Sequence, residues 1–228
     1  MEIKIVFEDK NIIVIDKPPG MPSQRDKTGD GSVLDELEAY FKREYKTIIH
    51  RLDRPVGGLM VFPKNKEAAK NLSAEVKNRV FNKTYYALCQ GYISEGKILL
   101  KDYLAKDKRK NMSFVSSAED ENAKEALLEA EVLERLKDEK LGEISLVRVN
   151  LITGRHHQIR LQLANFGHFV LGDRKYGKRV KGVDFPALFA GEISFKHPVS
   201  GKMMIFKAKP NYYPFDIFDF SGIIEKNM

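Results

Sequence analysis

At the start of the chain Ile3, Ile5 and Phe7 recur at every second position, and a second apolar run, Ile12 to Ile15, follows a short polar turn. That spacing predicts a β-hairpin. From Lys17 to Gly31 the pattern is broken by Pro18, Pro19, Gly20, Pro22, Gly29 and Gly31, which predicts a loop long enough to border a site. Helical spacing then takes over. Val33, Leu34, Leu37, Tyr40 and Phe41 share one face, Ser32 stands as an N-cap, and Asp35 and Glu36 fall in the first turn, so a helix is predicted over about 33 to 45. A second helix is predicted over 66 to 77, capped by Asn65 and burying Ala69, Leu72 and Val76.

Between these helices, residues 48 to 62 read as a strand, a polar loop (His50-Arg51-Leu52-Asp53-Arg54) and a second strand. Strands are also predicted from Phe81 to Gln90, from Ile98 to Leu100 beyond a Gly91 to Gly96 connection, and from Ile144 to Leu151. The stretch from Ala126 to Leu136 points two ways. Its Ala, Leu and Glu content favours helix, while Leu128, Ala130 and Val132 alternate as in a strand. From His156 to Phe166 the spacing of Ile159, Leu163 and Phe166 predicts a short amphipathic helix with a basic N-terminal end, closed by Gly167. With no repeat and no linker composition, residues 1–228 read as one mixed α/β domain.

Composition narrows the function classes. The chain has 228 residues, 43% hydrophobic and 31% charged, with 14 Phe and 9 Tyr, which excludes a disordered or low-complexity scaffold. No apolar stretch approaches the roughly 18 residues of a membrane span. Glu2, Lys4, Glu8 and Asp9 interrupt the region where a signal peptide would be apolar, so a cytoplasmic location is expected. The single cysteine, Cys89, excludes an intramolecular disulfide and a thiolate zinc site within one chain.

The net charge is +7, and it is unevenly spread. Residues 160 to 209 carry ten Lys and Arg against three Asp and Glu, whereas residues 118 to 143 carry ten acidic residues against four basic ones. A basic segment with the acidic charge set apart fits a nucleic-acid partner, because neutralising phosphates releases counterions. It equally fits a lysine-rich surface that only keeps the protein in solution, since 27 of the 39 cations are Lys.

Three groups of residues could carry chemistry. Asp53 sits among Arg51, Arg54 and His50 in a loop with Pro55, Gly57 and Gly58, a setting for a working carboxylate or for one that pins a loop through ion pairs. Thr153-Gly154-Arg155-His156-His157-Gln158-Ile159-Arg160 lies at a strand-to-helix junction, where open N–H groups, a guanidinium and imidazoles suit a phosphate. Tyr85 and Tyr86 fall on a strand, so one ring points to the core, and the other either faces a cleft and stacks on a base or, as the default reading, is an ordinary sheet aromatic. The five histidines, at 50, 156, 157, 168 and 197, show no metal-ligand spacing, so no metal is expected. Cys89 reads as a small buried hydrophobe.

Taken together these segments resemble one family, the RluA-type RNA pseudouridine synthases. The resemblance rests on His50-Arg51-Leu52-Asp53 followed by Gly58-Leu59, on Lys83-x-Tyr85-x-Ala87 with Gly91, and on Thr153-Gly154-Arg155-x-His157-Gln158-Ile159-Arg160 followed by Gly167-His168 and Gly172-Asp173. Asp16-Lys17-Pro18-Pro19-Gly20 is similar to the family's opening loop. The three motifs keep their order over about residues 12 to 209.

The resemblance implies a large, mostly antiparallel sheet flanked by helices, in which the ambiguous stretch from Ala126 to Leu136 is strand. It implies isomerisation of uridine in ribosomal or transfer RNA, with no metal or organic cofactor and no protein partner, by a chain expected to be a monomer. Asp53 would be the essential catalytic carboxylate, Arg160 its partner, and Tyr85 the ring against the base. Arg51 would fill the gap left by a flipped uridine, and Lys83, Arg155 and His157 would touch phosphates. Two features depart from the family. Val56-Gly57-Gly58 stands where Thr-Ser-Gly or Thr-Ala-Gly is usual, and the first strand begins by Ile3, so the catalytic domain is expected to bind RNA without a preceding domain. Two rival readings are a non-catalytic RNA-binding protein of the same fold and a metal-dependent phosphodiesterase using His50, Asp53, His156 and His157. Only the second of these predicts that a chelator abolishes activity.

Overall fold

The computed structural model describes residues 3–94, 96–220 and 222. The architecture is α+β, with mostly antiparallel strands and few helices. The chain folds into two compact units: one runs to Lys83 and resumes at Phe189–Ala208, the other takes Thr84–Leu188 and the chain from Lys209 onward.

The first unit holds Asp53. Strands β1 (Lys4–Glu8) and β2 (Ile12–Lys17) form the expected hairpin, its turn held by the Asp9 carboxylate, which accepts from the N–H groups of Asn11 and Ile12 at 2.7 and 2.8 Å. Strand β3 (Gly57–Pro63) pairs antiparallel with β2 and parallel, at Gly57 and Gly58 only, with β9 (Leu188–Lys196); β10 (Met203–Lys207) pairs antiparallel with β9. Helix α1 (Val33–Phe41) starts at Ser32 with a capping box closed by Asp35, as its sequence predicts, but ends four residues earlier than the pattern suggests. Helix α2 (Lys66–Lys77) keeps its predicted limits and its Asn65 cap. It buries Ala68 rather than Ala69, and Leu72 joins Ile12, Val14, Leu59, Val61, Phe81, Ile193 and Phe195 in one apolar core. The strand predicted at Ile48 and Ile49 does not form: residues 44–56 are irregular and contribute no ladder.

The second unit holds Arg160. Strands β4 (Asn82–Gln90), β8 (Gly142–Leu151), β7 (Lys124–Asp138), β5 (Lys97–Asp107) and β6 (Met112–Ser116) follow in that spatial order, all antiparallel. The stretch from Ala126 to Leu136 is strand. It is hydrogen-bonded to β5 on one side and to β8 on the other, and its alternating Ala126, Leu128 and Ala130 are buried, so pairing and packing override helix propensity. Helix α3 (Gln158–Asn165) forms within the predicted stretch, but its polar residues do not make an exposed face. Gln158 to Leu163 are all buried, because the polar side chains of that helix find partners inside the protein. Gly167 follows its C-cap with φ +95°, a left-handed conformation that suits glycine.

Candidate active site

In the first unit the segment carrying Asp53 is irregular and is held by three clamps. Ser23 and Leu52 exchange two hydrogen bonds: the Ser23 hydroxyl donates to the Leu52 carbonyl at 2.8 Å and accepts from the Leu52 N–H at 3.2 Å. Arg54 reaches back across the loop after β2, donating from Nε to the Gly20 carbonyl at 3.0 Å, from Nη1 to the Thr28 hydroxyl at 3.0 Å and from Nη2 to the Asp30 carboxylate. A turn in which the Val56 N–H donates to the Asp53 carbonyl at 3.0 Å leads into β3.

The third clamp is Lys17, which sequence reasoning quoted only as part of a motif. Its side chain is fully buried at the end of β2, and its ammonium donates to the carbonyls of Met21, Pro18 and Arg54 at 2.8, 3.0 and 3.2 Å. Burial pushes its pKa down to about 7, while the carboxylates of Asp53 and Asp16 pull the other way. Lys17 thus ties the Pro-Pro-Gly loop to the Asp53 segment, and in its protonated form it stands in the field of that carboxylate. His50 does not add a cation there. It is buried, its Nε2 accepts from the Val61 N–H at 3.1 Å, and desolvation, with the Lys83 charge, lowers its pKa to about 3, so it is neutral at physiological pH. Asp53 itself is half-buried and Arg51 beside it is exposed.

The second unit builds the other half of the predicted set. Arg160, on the first turn of α3 and almost fully buried, forks onto Asp173 through Nε to Oδ2 and a terminal nitrogen to Oδ1, both at 2.7 Å. Its guanidinium carbon lies 5.4 Å from the centre of the Tyr176 ring. Asp173 also accepts from the N–H groups of Lys175 and Tyr176 at 2.9 and 3.3 Å. Burial works to raise the Asp173 pKa, but the hydrogen bond and charge of Arg160 outweigh it and the net shift is downward.

The turn before α3 is equally constrained. His157 is the N-cap with φ +55°, a left-handed conformation unusual for a residue with a side chain. Its ring stacks on His156, centroids 3.7 Å apart, and its Nδ1 lies 2.8 Å from the Tyr176 hydroxyl, which accepts from the Ser113 N–H at 2.7 Å. That hydroxyl therefore ties the His157 ring to the Ser113 backbone. The Gln158 side-chain oxygen accepts from the Thr153 hydroxyl at 2.8 Å and the Arg155 N–H at 2.9 Å, while its nitrogen donates to the Leu127 carbonyl and to Gln162. Arg155 is half-buried and donates from Nε to the Glu125 carbonyl at 2.8 Å.

Tyr85 and Tyr86 are both buried, at 5% and 6% exposure, so neither ring stands open; Tyr86 meets Phe220 edge to face. Lys83, at the start of β4, is half-buried, and desolvation lowers its pKa. Cys89 is fully buried with its thiol pushed up to about 12, which makes it an inert apolar filler. Among the described residues no three His, Cys, Asp or Glu side chains converge as metal ligands, and no helix is long and apolar enough to cross a membrane.

Comparison with known proteins bears on this arrangement. Residues 11–165 match the family described as RNA pseudouridylate synthase. This chain belongs to that family. An uncharacterised RNA pseudouridine synthase of Aquifex aeolicus is 34% identical over 222 residues, covering 90% of this synthase and 68% of that protein. The dual-specificity RNA pseudouridine synthase RluA of Vibrio parahaemolyticus is 32% identical, covering 94% of this synthase and 88% of its own length. The solved structure of human RNA pseudouridylate synthase domain containing 1 superposes with a TM-score of 0.81 at 22% identity, over 99% of this synthase and 94% of that chain, and shares its fold. The two groups that sequence reasoning assigned no role in the site, Lys17 and Asp173, lie inside or beside quoted motifs. Their signal was a charged residue directly beside a Pro or Gly, Lys17 before Pro18 and Asp173 after Gly172.

Proposed function

We propose that this synthase converts uridine to pseudouridine in structured ribosomal or transfer RNA, in the cytoplasm, as a single catalytic domain that is monomeric and needs no protein partner, metal or organic cofactor. In that reaction the bond from ribose to N1 of uracil breaks, the base turns, and C5 is joined to the sugar. C5 gives up its hydrogen and N1 ends with one, so the site must hold the detached base, move a proton and keep water out. A glycosidase uses two carboxylates and passes its intermediate to water. Here one carboxylate, Asp53, acts on the flipped nucleoside, Arg160 partners it, and Tyr85 lies against the base and moves the proton.

What supports this reading is that Asp53, Tyr85 and Arg160 all fall within the matched residues 11–165, each in a constrained segment. Asp53 follows the anchored Leu52, Tyr85 is buried on β4, and Arg160 is immobilised on Asp173 before any substrate arrives. An immobilised guanidinium needs no reorganisation when charge develops, which is how a preorganised site lowers a barrier. Exposed Arg51 takes the place of the flipped uridine in the stack, and Lys83, Arg155 and His157 contact phosphates.

The test is to incubate the protein with ribosomal and transfer RNA lacking modifications and to map pseudouridine, with Asp53→Asn alongside. Wild type is expected to form it, and the variant to lose at least about a hundredfold in rate. Absence of product in every bulk RNA would refute the enzymatic reading, and a fully active Asp53→Asn would refute the role of that carboxylate.

A further inference from the structure

Beyond Asp173 the chain makes a short basic excursion. Residues 174–181 contain Arg174, Lys175, Lys178, Arg179 and Lys181 and no acid. The excursion is fixed at its base: the Gly177 N–H donates to the Asp173 carbonyl at 3.0 Å, Asp173 accepts from Lys175 N–H, and the Lys175 ammonium donates to the Asn111 carbonyl at 2.7 Å. Its tip is a tight turn in which the Val183 N–H donates to the Val180 carbonyl at 3.2 Å, with Gly182 at φ +81° in the third position, where a type II turn requires glycine. Val183 is buried and closes that end.

This scaffold arranges Arg174, Arg179 and Lys181 around one cavity of about 290 Å³, with Val180, Gly182 and Asp184 completing the wall. Asp184 is the sole acid there. It is highly exposed and stands 3.8 Å from Arg174, too far for a tight ion pair. Arg179 and Lys181 have no ion pair among the described residues. Arg174, Arg179 and Lys181 are exposed and carry like charge about one concavity, so the local potential is positive and favours an approaching anion. Ordinary solubilising charge is dispersed over a surface and needs neither a shared cavity nor an anchored turn.

We propose that this excursion is a phosphate-binding face that grips the backbone of the substrate RNA at nucleotides flanking the target uridine. The proposal rests on the RNA-substrate reading above and adds to it a subsite outside the residues that read or transform the base. Its placement has a consequence for register. The same Asp173 that holds the guanidinium of Arg160 anchors the start of the excursion, so the phosphate grip and that guanidinium stand on one rigid frame. Contacts of this kind position an RNA without reading its sequence.

The test measures equilibrium binding of bulk unmodified ribosomal RNA against salt, between about 50 and 200 mM, for wild type and for the double variant Arg179→Gln, Lys181→Gln. The variant is expected to bind roughly tenfold more weakly at the lowest salt, and its plot of log affinity against log salt should be shallower by about one to two. A control with the same charge loss on exposed helix α2, Lys66→Gln with Lys70→Gln, should change the slope far less. Equal slopes for the double variant and wild type, or an equal change in the control, would overturn the proposal. Binding is read without turnover, so a wild type that forms no pseudouridine would defeat the catalytic reading while the slopes still decide this one.

Discussion

Asp173 and His50 show how a single buried group is kept in one charge state. Arg160 is 3% exposed and Asp173 not at all, so each is the other's chief compensation for lost water. Asp173→Asn keeps the shape but removes the negative charge, and is expected to lower unfolding stability by about 3 to 5 kcal/mol, read from the urea midpoint. A loss below about 1 kcal/mol would mean that another group balances Arg160. His50 is the opposite case, a base stored neutral. Its pKa is lowered from the ordinary 6.5 to about 3, so between those values the unfolded chain binds more protons than the folded one, and stability falls as pH drops through that window. His50→Gln can still accept from Val61 N–H and does not titrate. The stability of wild type relative to this variant should therefore decline from about pH 6.5 towards pH 3, and parallel acid curves for the two would contradict that assignment.

At the scale of elements, the position of Asp53 depends on how β3 begins. Gly58 has φ +119°, and a Cβ there would lie 2.4 Å from the Ala190 carbonyl oxygen and 2.6 Å from its nitrogen, backbone that cannot yield without breaking the parallel contact with β9. Gly57 is less confined, since the nearest atoms to a Cβ would be the Lys17 carbonyl oxygen and Pro19 Cδ, both at 3.2 Å. Gly58→Ala is therefore expected to cost at least about 2 kcal/mol in thermal or denaturant unfolding, whereas Gly57→Ala, which restores the more usual small residue at that place, should cost under about 1 kcal/mol. Equal effects would show that β9 does not limit this corner. The capped helices α1 and α2 were legible because Ser32, Asp35 and Asn65 act within one turn of chain. Strand β7 was not legible from its residues alone, because Ala, Leu and Glu choose strand only once β5 and β8 supply partners on both edges. The missing strand at Ile48 and Ile49 is the converse: apolar residues without a ladder partner stay irregular.

Across the whole molecule, the charge is sorted by element. Much of the acidic run lies along β7, where Glu131 pairs with Arg148 of the neighbouring strand, while five cations and no acid fall in the excursion after Asp173. Net charge fitted a polyanionic partner and a solubilising surface equally, and it did not say that Arg54 would serve to pin a loop, or that Arg179 and Lys181 would line a cavity without an ion pair among the described residues. By itself the sequence determined the helix caps, the turn glycines and the motif residues that mark the family, since these are written in local spacing and residue type, whereas Asp53, Tyr85 and Arg160 were singled out only through the family resemblance. Tertiary structure alone decided that Lys17 is buried beneath three carbonyls, that Arg160 is gripped by Asp173 thirteen residues away, that His50 is neutral, and that both Tyr85 and Tyr86 are covered. Those states depend on how much water is removed and on which distant groups replace it, quantities that exist only once the chain has closed around them.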